Sequence, residues 1–553
     1  NLLFPIVGTL CCYGLFHVLR IVYRQFTYPL RHVSGPKNPS FILGHFRQIR
    51  SDELVDEWRK EYGRIFLFKS LFSIPHLHTS DIKAVTYVLN NTALYQRTSY
   101  GRDMRRRSMG DGLLSLEMED HKRQATYHIQ NEAFGVAQIR LMTEGFVEKS
   151  IQLSDIWASR ITEGNNKTPI DVFSWLGRMT LDVIGQEGES GMSPWPPPCN
   201  RLDPGFDHHF GALDPKGRPS ELNLAINEQF NSPHAARNLT FRLAQSILAE
   251  VITPLFRLLP VPGARARQAT REKMDYLAGH IVSESKATIK AAAEEKTFSG
   301  RKDLLSVLLK ANLSTELPEN HRLSDAEVVA QIPGFFIAGH ETTSSAVSWA
   351  LHALSLNTDA QGKLRDELFT LSTENPTMDE LNSLPYLENV IREALRVHSP
   401  VRFVDRVAME DNVLPLSKPY IDTQGKSHDC LPVPKGQILY IPIPAVNTDK
   451  DIWGDDAHEF KPERWDNIPH AVKEVPGAWA NILTFLAGPH NCIGFRFSLV
   501  EIKALLFILI RAFEFQQAVA KEDIAPSPGL LQRPRVLSGT NKGPGMPLIV
   551  APY

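Results

Sequence analysis

A single apolar segment constrains the possible folds of this chain more than any other feature. It begins at Ser324, where the spacing of Ser324 and Glu327 matches a capping box, and continues through QIPGFFIAGHETTSSAVSWALHAL to about residue 354. A helix of about thirty residues spans roughly 45 Å, which is wider than a small domain, so it must cross the centre of the molecule. The polar run from His340 to Ser345 in its middle is costly to bury. The sequence therefore indicates a helix shaped for more than packing.

The composition indicates a large globular protein. The chain has 553 residues, of which 42% are hydrophobic and 22% are charged, and this is too apolar for a disordered chain. Lysine and arginine number 60 against 62 aspartates and glutamates, so the net charge of -2 gives no general attraction for nucleic acid and we expect no such partner. The five cysteines include no C-x-x-C pair, which excludes zinc ribbons and c-type haem attachment.

A loop near the C-terminus delivers one cysteine to the start of an apolar helix. The loop at 485–494 reads FLAGPHNCIG, and the apolar helix that follows is predicted over 497–513. A helix N-terminus and loop N–H groups favour a thiolate at Cys492, and Gly488 and Gly494 allow backbone to approach a flat ligand closely. Taken alone, a cysteine before a helix is more often a small, inert core residue.

The polar run in the long helix permits two interpretations. In the structural one, the Thr342 hydroxyl bonds back to the Ala338 carbonyl and Glu341 is a solvated helix charge. In the functional one, the same back-bond bends the helix and opens a groove, where a hydroxyl and a carboxylate can pass protons to a ligand. An H-E-x-x-H zinc site is excluded because position 344 is serine.

Glu393 and Arg396 form an acid–base pair three residues apart within the helical pattern at 379–397, and FKPERW follows at 460–465. On an ordinary helix such a pair is a surface ion pair that contributes a few tenths of a kcal/mol.

Together these motifs resemble the cytochrome P450 superfamily, whose haem-ligand loop reads Phe-x-x-Gly-x-Arg-x-Cys-x-Gly. The A-G-x-E-T-T, E-x-x-R and P-E-R elements occur in the expected order, and the resemblance covers the chain from about residue 30 onward. It is closest to membrane-anchored filamentous-fungal monooxygenases of basidiomycete type. The resemblance implies the cytochrome P450 fold, mostly α with a small β domain, and haem b between the long helix and the cysteine loop.

The resemblance also implies roles for individual residues. Cys492 is the axial ligand of the haem iron, Glu341 and Thr342 are catalytic in proton delivery, and a buried structural triad positions the ligand loop. The triad comprises Glu393, Arg396 and Arg464. The cofactor-binding residues implied by the family pattern are Phe485, Gly488, Gly494, His490, Arg406 and His121.

Three positions depart from the family pattern. His490 stands where an arginine is usual, and His121 and Ala125 stand where the family's W-x-x-x-R element has its tryptophan and its propionate-binding arginine. His490 must therefore donate from its imidazole to a haem propionate. Arg123 and His128 are the candidates to replace the arginine missing at position 125.

The resemblance places a largely apolar substrate pocket around the long helix. Its predicted lining is Phe335, Phe336, Ala338, Val401, Arg402, Val404 and the turn at 530–532. Apolar lining indicates a lipophilic substrate, and the fungal resemblance favours a terpenoid or another secondary-metabolite intermediate. The alternative is a fatty-acid hydroxylase in which Arg402 pairs with the substrate carboxylate. Arg402 can equally face solvent or a propionate.

The implied reaction uses O2 and electrons from NADPH through a separate NADPH–cytochrome P450 reductase. Arg496 and Lys503 are candidate docking residues for that partner. Two less favoured functions are a thiolate-haem isomerase or dehydratase and a non-enzymatic haem-binding membrane protein. The first class commonly lacks the acid–threonine pair, which is present here as Glu341 and Thr342. The second predicts loss of that proton relay.

The N-terminal region predicts a membrane anchor. Residues 2–19 carry no acidic or basic charge, and Arg20, Arg24, Arg31 and Lys37 follow. A cleaved signal peptide is the alternative, but no small-residue cleavage site follows. The expected organisation is therefore an anchor at 1–23, a basic Pro/Gly stalk at 24–40 and a catalytic domain at 41–553, with a loop insertion at 186–204. The expected location is the endoplasmic reticulum membrane, single-pass, with the catalytic domain in the cytoplasm.

Overall fold

Helices dominate the molecule and the strands are short, as predicted. The computed structural model describes residues 27–46, 48–50, 52–125, 134–163, 169–186, 264–294, 322–539 and 542–553, together with isolated residues elsewhere. Within them the helices are α1 (Asp52–Tyr62), α2 (Ile82–Asn90), α3 (Ser99–Met109), α4 (Met118–Gln124), α5 (Val136–Glu163), α6 (Val172–Gln186), α7 (Ala264–Glu294), α8 (Asp325–Leu356), α9 (Thr358–Leu368), α10 (Met378–Asn382), α11 (Pro385–Val397), α12 (Ile443–Asn447), α13 (Lys450–Trp453) and α14 (Phe495–Ala512). The strands are β1 (Ile65–Lys69), β2 (Pro75–Thr79), β3 (Tyr95–Gln96), β4 (Ile170–Asp171), β5 (Phe403–Ala408), β6 (Asn412–Ile421), β7 (Ser427–Val433), β8 (Ile438–Pro442), β9 (Phe513–Gln517), β10 (Ile524–Pro526), β11 (Pro534–Val536), β12 (Gly543–Pro544) and β13 (Pro547–Pro552).

The chain divides into two compact units, of which the first carries the larger sheet. This unit comprises Asn1–Gly101, Arg237–Pro262 and Val404–Pro442. Its five-stranded sheet has the order β1-β2-β8-β5-β3, and β6 and β7 form a separate antiparallel hairpin. Strands β1 and β2 pair antiparallel, whereas β2 and β8 pair parallel. Fully buried side chains such as Phe66 and Leu77 form the core against this sheet.

The second unit is mostly helical. It comprises Arg102–Ala236, Gly263–Phe403 and Ile443–Tyr553. Two three-stranded sheets belong to it, with the orders β4-β13-β9 and β10-β11-β12. The last strand, β13, is the central strand of the first of these sheets and pairs antiparallel with both neighbours.

The long helix α8 is the centre of the second unit, which confirms the sequence prediction. It begins at Asp325, and the capping box is present, because the Ser324 side chain accepts from the Glu327 N–H while the Glu327 carboxylate accepts from the Ser324 N–H. The helix packs against α6, α7, α11 and α14. Its C-terminal half is almost entirely buried. This half combines apolar side chains with buried serines, of which Ser344 and Ser348 bond back to carbonyls of the same helix.

The helical pattern at 379–397 is interrupted, contrary to the single segment that the sequence suggested. Helix α10 ends at Asn382 and α11 begins at Pro385. Proline lacks an N–H and disfavours helical backbone in the residue before it, so it starts a helix more readily than it continues one. Leu384 accordingly has extended backbone, with φ -96° and ψ 96°.

The predicted N-terminal anchor and loop insertion lie mostly outside the described residues. In the anchor region only isolated residues are described, and after Gln186 the segment predicted as an insertion is not described. Among the helices of the described residues, none combines the length and the apolar character that a membrane crossing requires.

A fully buried ion cluster joins α11 to the segment that precedes the cysteine loop. The Arg396 Nε and Nη2 atoms each lie 2.8 Å from one Glu393 carboxylate oxygen, and both side chains have 0% exposure. Arg464 adds a third contact, from its Nε to Glu393 Oε1 at 3.2 Å. The structure therefore brings together the three residues of the predicted triad.

Backbone and indole groups complete this buried cluster. The Glu393 carboxylate also accepts from the Lys461 N–H at 3.0 Å and from the Trp465 indole N–H at 3.1 Å. Arg396 donates to the carbonyls of Asn447, Ala457 and Glu459. Full satisfaction of this kind makes burial of three charges tolerable, because each desolvated donor and acceptor has a partner.

We expect Glu393→Gln to destabilise the protein by on the order of 3–5 kcal/mol, because it leaves two buried guanidinium groups with one carboxylate too few. The control is Arg140→Gln, which breaks the ion pair between Arg140 and Asp379, whose side chains are 52% and 65% exposed. An exposed pair of this kind contributes about 1 kcal/mol or less. Thermal unfolding followed by circular dichroism measures both, and equal midpoints would contradict the assigned role of the cluster.

Candidate active site

The cysteine loop is a tight turn that reverses onto itself before α14. It contains two short 3-10 helices, Leu483–Phe485 and Gly488–His490, and the Cys492 N–H donates to the Phe485 carbonyl at 2.8 Å. Gly488 adopts φ +71°, a conformation that favours glycine. Gly494 is the N-cap of α14. The loop thus sets the sulfur at the N-terminal end of an apolar helix.

The Cys492 thiol has protein around it and open space beside it. Burial raises the pKa of the Cys492 thiol to about 11, and a hydrogen bond with the Gly494 backbone opposes this only in part. The side chain is nevertheless exposed, so it faces a space large enough for solvent or a ligand. A bound metal cation would favour the thiolate, because a coordinating thiol loses its proton.

Two buried polar residues that the sequence analysis missed connect the ion cluster to this loop. The Asn447 side chain accepts from the Leu483 N–H at 2.7 Å and donates to the Thr484 hydroxyl at 2.9 Å. The Thr484 hydroxyl donates in turn to the Leu395 carbonyl at 2.7 Å. Because Arg396 donates to the Asn447 carbonyl, a continuous chain of hydrogen bonds runs from the cluster to the base of the loop.

The middle of α8 has the hydroxyl back-bond that the sequence predicted. The Thr342 hydroxyl donates to the Ala338 carbonyl at 2.6 Å. The Thr180 hydroxyl on α6 donates to the next carbonyl but one, that of His340, at 3.0 Å. Ala338 is exposed, and Ile337 and Gly339 on either side of it are partly exposed. The two hydroxyls add hydrogen bonds to carbonyls of this more open stretch, while the helix itself continues without interruption.

Glu341 is not a solvated helix charge. Its side chain is 9% exposed, and Arg533 Nη2 lies 2.7 Å from Oε1 and 2.5 Å from Oε2. The sequence analysis did not identify Arg533, which is 192 residues away along the chain. The neighbouring His340 donates from Nδ1 to the Phe336 carbonyl, and burial lowers its pKa.

Two imidazoles and a carboxylate meet beside the cysteine loop. The His121 and His490 ring centroids are 4.2 Å apart in an edge-on arrangement, and both residues are buried. His490 Nε2 lies 3.3 Å from a Glu117 oxygen, which the sequence analysis did not predict. Imidazole N–H groups are the donors that a haem propionate accepts, so this pair suits the position where the family has arginine.

Arg123 is engaged elsewhere, contrary to its proposed role as a propionate ligand. It forms an ion pair with Glu327 and donates to the Arg322 carbonyl, so it ties α4 to the first turn of α8. Ala125 is buried, and His128 lies outside the described residues. Arg406 belongs to β5 in the first unit, where it is buried and its Nη1 donates to the Asp405 carbonyl at 2.8 Å.

The predicted substrate-lining residues differ in burial. Phe336 is fully buried and the Phe335 ring packs edge-on against Phe134 at 5.8 Å. Val401 forms an isolated β-bridge with Leu531, so residues 400–402 and the turn at 530–532 are held together. The remaining lining candidates are Ala338, which is exposed, Arg402, which is 3% exposed and does not face solvent, and Val404, which lies in β5 of the first unit.

The prediction that Lys503 is a docking residue for the redox partner is wrong. Lys503 is buried on α14, where its Nζ lies 2.7 Å from a Glu388 carboxylate oxygen and donates to Asn382 at 2.8 Å. It is therefore not available to a partner. Arg496 remains exposed, with its guanidinium group 4.5 Å from the Phe495 ring centroid.

Similarity to known proteins identifies the family of this chain. The cytochrome P450 family model matches residues 34–186 and 227–538. Cytochrome P450 monooxygenase 205 from Postia placenta is 43% identical over 533 residues, which cover 95% of this chain and 94% of that protein. Cytochrome P450 monooxygenase 128 from the same fungus is 42% identical over 551 residues, covering 98% and 96%. Cytochrome P450 monooxygenase claP from Ampulloclitocybe clavipes is 32% identical over 505 residues, covering 90% and 88%.

The chain therefore belongs to the cytochrome P450 family, and it is a monooxygenase enzyme of the fungal type. The family implies haem, O2 and electrons from a redox partner. The residues present fit that cofactor: a thiol faces open space, a small residue exposes the middle of α8, and two buried imidazoles stand beside the thiol loop. The family match omits 187–226, which includes most of the predicted insertion, and the insertion stays a prediction.

We expect Asn447→Ala to reduce haem retention, because it leaves the buried Leu483 N–H without an acceptor, at about 1–3 kcal/mol, and removes one of the two hydrogen bonds of the Thr484 hydroxyl, which keeps its bond to the Leu395 carbonyl. The haem-to-protein absorbance ratio and the unfolding midpoint measure the effect. The control is Thr448→Val, which removes a hydroxyl that only bonds back to the Pro444 carbonyl. If both variants retain equal amounts of haem, the hydrogen bonds from Asn447 to the loop do not contribute to haem retention.

Proposed function

We propose that this monooxygenase inserts one oxygen atom of O2 into a lipophilic substrate of terpenoid or related secondary-metabolite type. The overall reaction is RH + O2 + 2e⁻ + 2H⁺ giving ROH and H2O, with electrons from NADPH through a separate NADPH–cytochrome P450 reductase. The observation that carries the proposal is the combination of a thiol that faces open space, Cys492, with a central helix whose middle exposes Ala338 and carries the partly exposed Thr342 hydroxyl.

Haem, when bound, would supply O2 activation, and Cys492 would hold it through its sulfur. The chain's own residues then manage protons and water. The Thr342 hydroxyl is held by the Ala338 carbonyl, which leaves its oxygen lone pairs as acceptors for a polar ligand in the groove. Glu341, the adjacent carboxylate, is the group able to take up protons from solvent and pass them inward. The two residues thereby direct the reduction of O2 to water and product rather than to peroxide.

Substrate class rests on the character of the predicted lining and on the fungal relatives. The lining is mainly aliphatic and aromatic, which suits a hydrocarbon skeleton with few polar groups. A fatty-acid hydroxylase is the second candidate, in which the buried Arg402 guanidinium would pair with the substrate carboxylate. Binding of farnesol and of lauric acid, followed by their spectral shifts, distinguishes the two.

We also propose a single-pass anchor at 1–23 that holds the catalytic domain on the cytoplasmic side of the endoplasmic reticulum. The apolar N-terminal sequence and the basic residues after it support this location. The first unit supports it further, because Phe41 and Ile42, directly after the stalk, are 65% and 60% exposed. Adjacent exposed apolar side chains of this size suit a lipid surface.

We expect the reduced protein with carbon monoxide to show a strongly red-shifted Soret band, because thiolate ligation through Cys492 alters the iron's electronic structure. Cys492→Ser should lose that band. Cys430→Ser, which changes an exposed cysteine of the first unit, should keep it. A Cys492→Ser protein that retained haem with an unchanged spectrum would overturn the proposed function.

We expect Thr342→Ala to release more hydrogen peroxide per NADPH consumed than the wild type in a system with reductase, because the groove loses its hydroxyl. The matched control is Ser348→Ala on the same helix, whose hydroxyl makes the same kind of back-bond, to the Ser344 carbonyl at 2.6 Å, in the buried core. Equal peroxide yields from the two variants would argue that Thr342 is merely structural.

A further inference from the structure

A short segment near the C-terminus contacts α8 along a single stripe. We call residues 530–533 the C-terminal turn. The Gln532 carbonyl accepts from the Ser345 hydroxyl at 2.9 Å and from the Trp349 indole N–H at 2.7 Å, and Arg533 reaches Glu341. Because these helix positions are four residues apart, they lie on one face over more than two turns. The turn therefore fixes the part of α8 that contains the proposed proton-delivery residues.

The ion pair between Arg533 and Glu341 joins the interior to the surface. A single guanidinium nitrogen contacts both carboxylate oxygens, at 2.7 and 2.5 Å. The Arg533 side chain is 29% exposed, whereas that of Glu341 is 9% exposed. Burying a carboxylate with so little access to water is costly unless a charged partner compensates the lost hydration. The arginine supplies that partner at the end of the pair that is nearer to solvent.

The other side of the C-terminal turn is anchored to the segment predicted to line the substrate pocket. The Gln532 N–H donates to the Pro400 carbonyl at 2.8 Å, and the Arg402 N–H donates to the Leu530 carbonyl at 3.0 Å. Val401 and Leu531 form the bridge between these two contacts. Backbone bonds of this kind transmit a displacement without a change in side-chain chemistry. A substrate that presses on the turn would therefore also move Arg533.

We propose that Arg533 is a positioning residue for proton delivery, which holds the Glu341 carboxylate in place and couples it to substrate contact at the C-terminal turn. This inference rests on the proposed role of Glu341. When one contact opens, the carboxylate accepts a proton from hydronium or from a buffer acid, which leaves water or the conjugate base in the solvent. Glu341 then passes that proton toward the Thr342 side and returns to its ion pair. The guanidinium keeps all its protons throughout.

The experiment compares variants as full-length haem protein with reductase, using farnesol and lauric acid as separate probes. The variants are Arg533→Gln, Arg533→Lys, Glu341→Gln and the double variant E341Q/R533Q. The control is Arg535→Gln, which removes the same charge two residues further along, in β11, where no hydrogen bond to Glu341 is made. Peroxide released per NADPH and the solvent isotope effect on NADPH consumption are measured, and the carbon monoxide spectrum checks each variant's haem site.

We expect Arg533→Gln to raise the peroxide fraction several-fold and to enlarge the solvent isotope effect, whereas Arg533→Lys restores most of the wild-type behaviour and Arg535→Gln matches wild type. The apparent KM for NADPH should stay unchanged, because the defect lies in proton delivery. Hydrogen exchange of the amides at 338–342 should rise in Arg533→Gln, which provides a readout independent of turnover.

The outcomes separate the inference from the function on which it rests. If Glu341→Gln has wild-type peroxide release, the proposed role of Glu341 is wrong. If Glu341→Gln is impaired while Arg533→Gln is normal, Arg533 is not a positioning residue. Should Arg533→Gln fail to fold, the double variant decides, because it leaves no unpaired carboxylate. Peroxide release equal to that of Glu341→Gln alone supports the inference, and a clearly higher value overturns it.

Discussion

The ion cluster around the buried Glu393 carboxylate is the interaction on which the second unit depends. This carboxylate is an anion without access to solvent, and two guanidinium groups, an indole and a backbone amide compensate the lost hydration. Because Arg396 also donates to the Asn447 carbonyl, the same cluster reaches the base of the cysteine loop. A loop that is rich in glycine and proline has little rigidity of its own, so its geometry is imposed from this neighbouring cluster.

The central helix shows how a catalytic groove can be built into a core element. Its C-terminal half is packed on all sides, whereas its middle exposes Ala338 and uses the Thr342 and Thr180 hydroxyls to satisfy its carbonyls. The helix nevertheless continues without interruption from Asp325 to Leu356, and these hydroxyls only add bonds to carbonyls of the stretch that is less buried.

The sequence predicted local features well and distant partners poorly. The capping box at Ser324, the back-bond of Thr342 and the pairing of Glu393 with Arg396 follow from spacings of three or four residues, which helical geometry determines. The partners Arg533, Asn447 and Glu117 are brought to the site by tertiary folding, so no local pattern marks them. The same limit explains the wrong role for Lys503, since charge alone does not show that a lysine is buried against Glu388.

The double attachment of the C-terminal turn has a consequence for engineering this enzyme. With the proposed pocket lining, residues 530–532 become targets for a library that alters substrate choice, but their backbone groups are bonded to α8 on one side and to residues 400–402 on the other. A library at these positions therefore varies two traits at once. Selection on product alone would favour variants that fit the substrate better but consume NADPH without forming product. Hydrogen peroxide release should therefore be measured in the first round of screening.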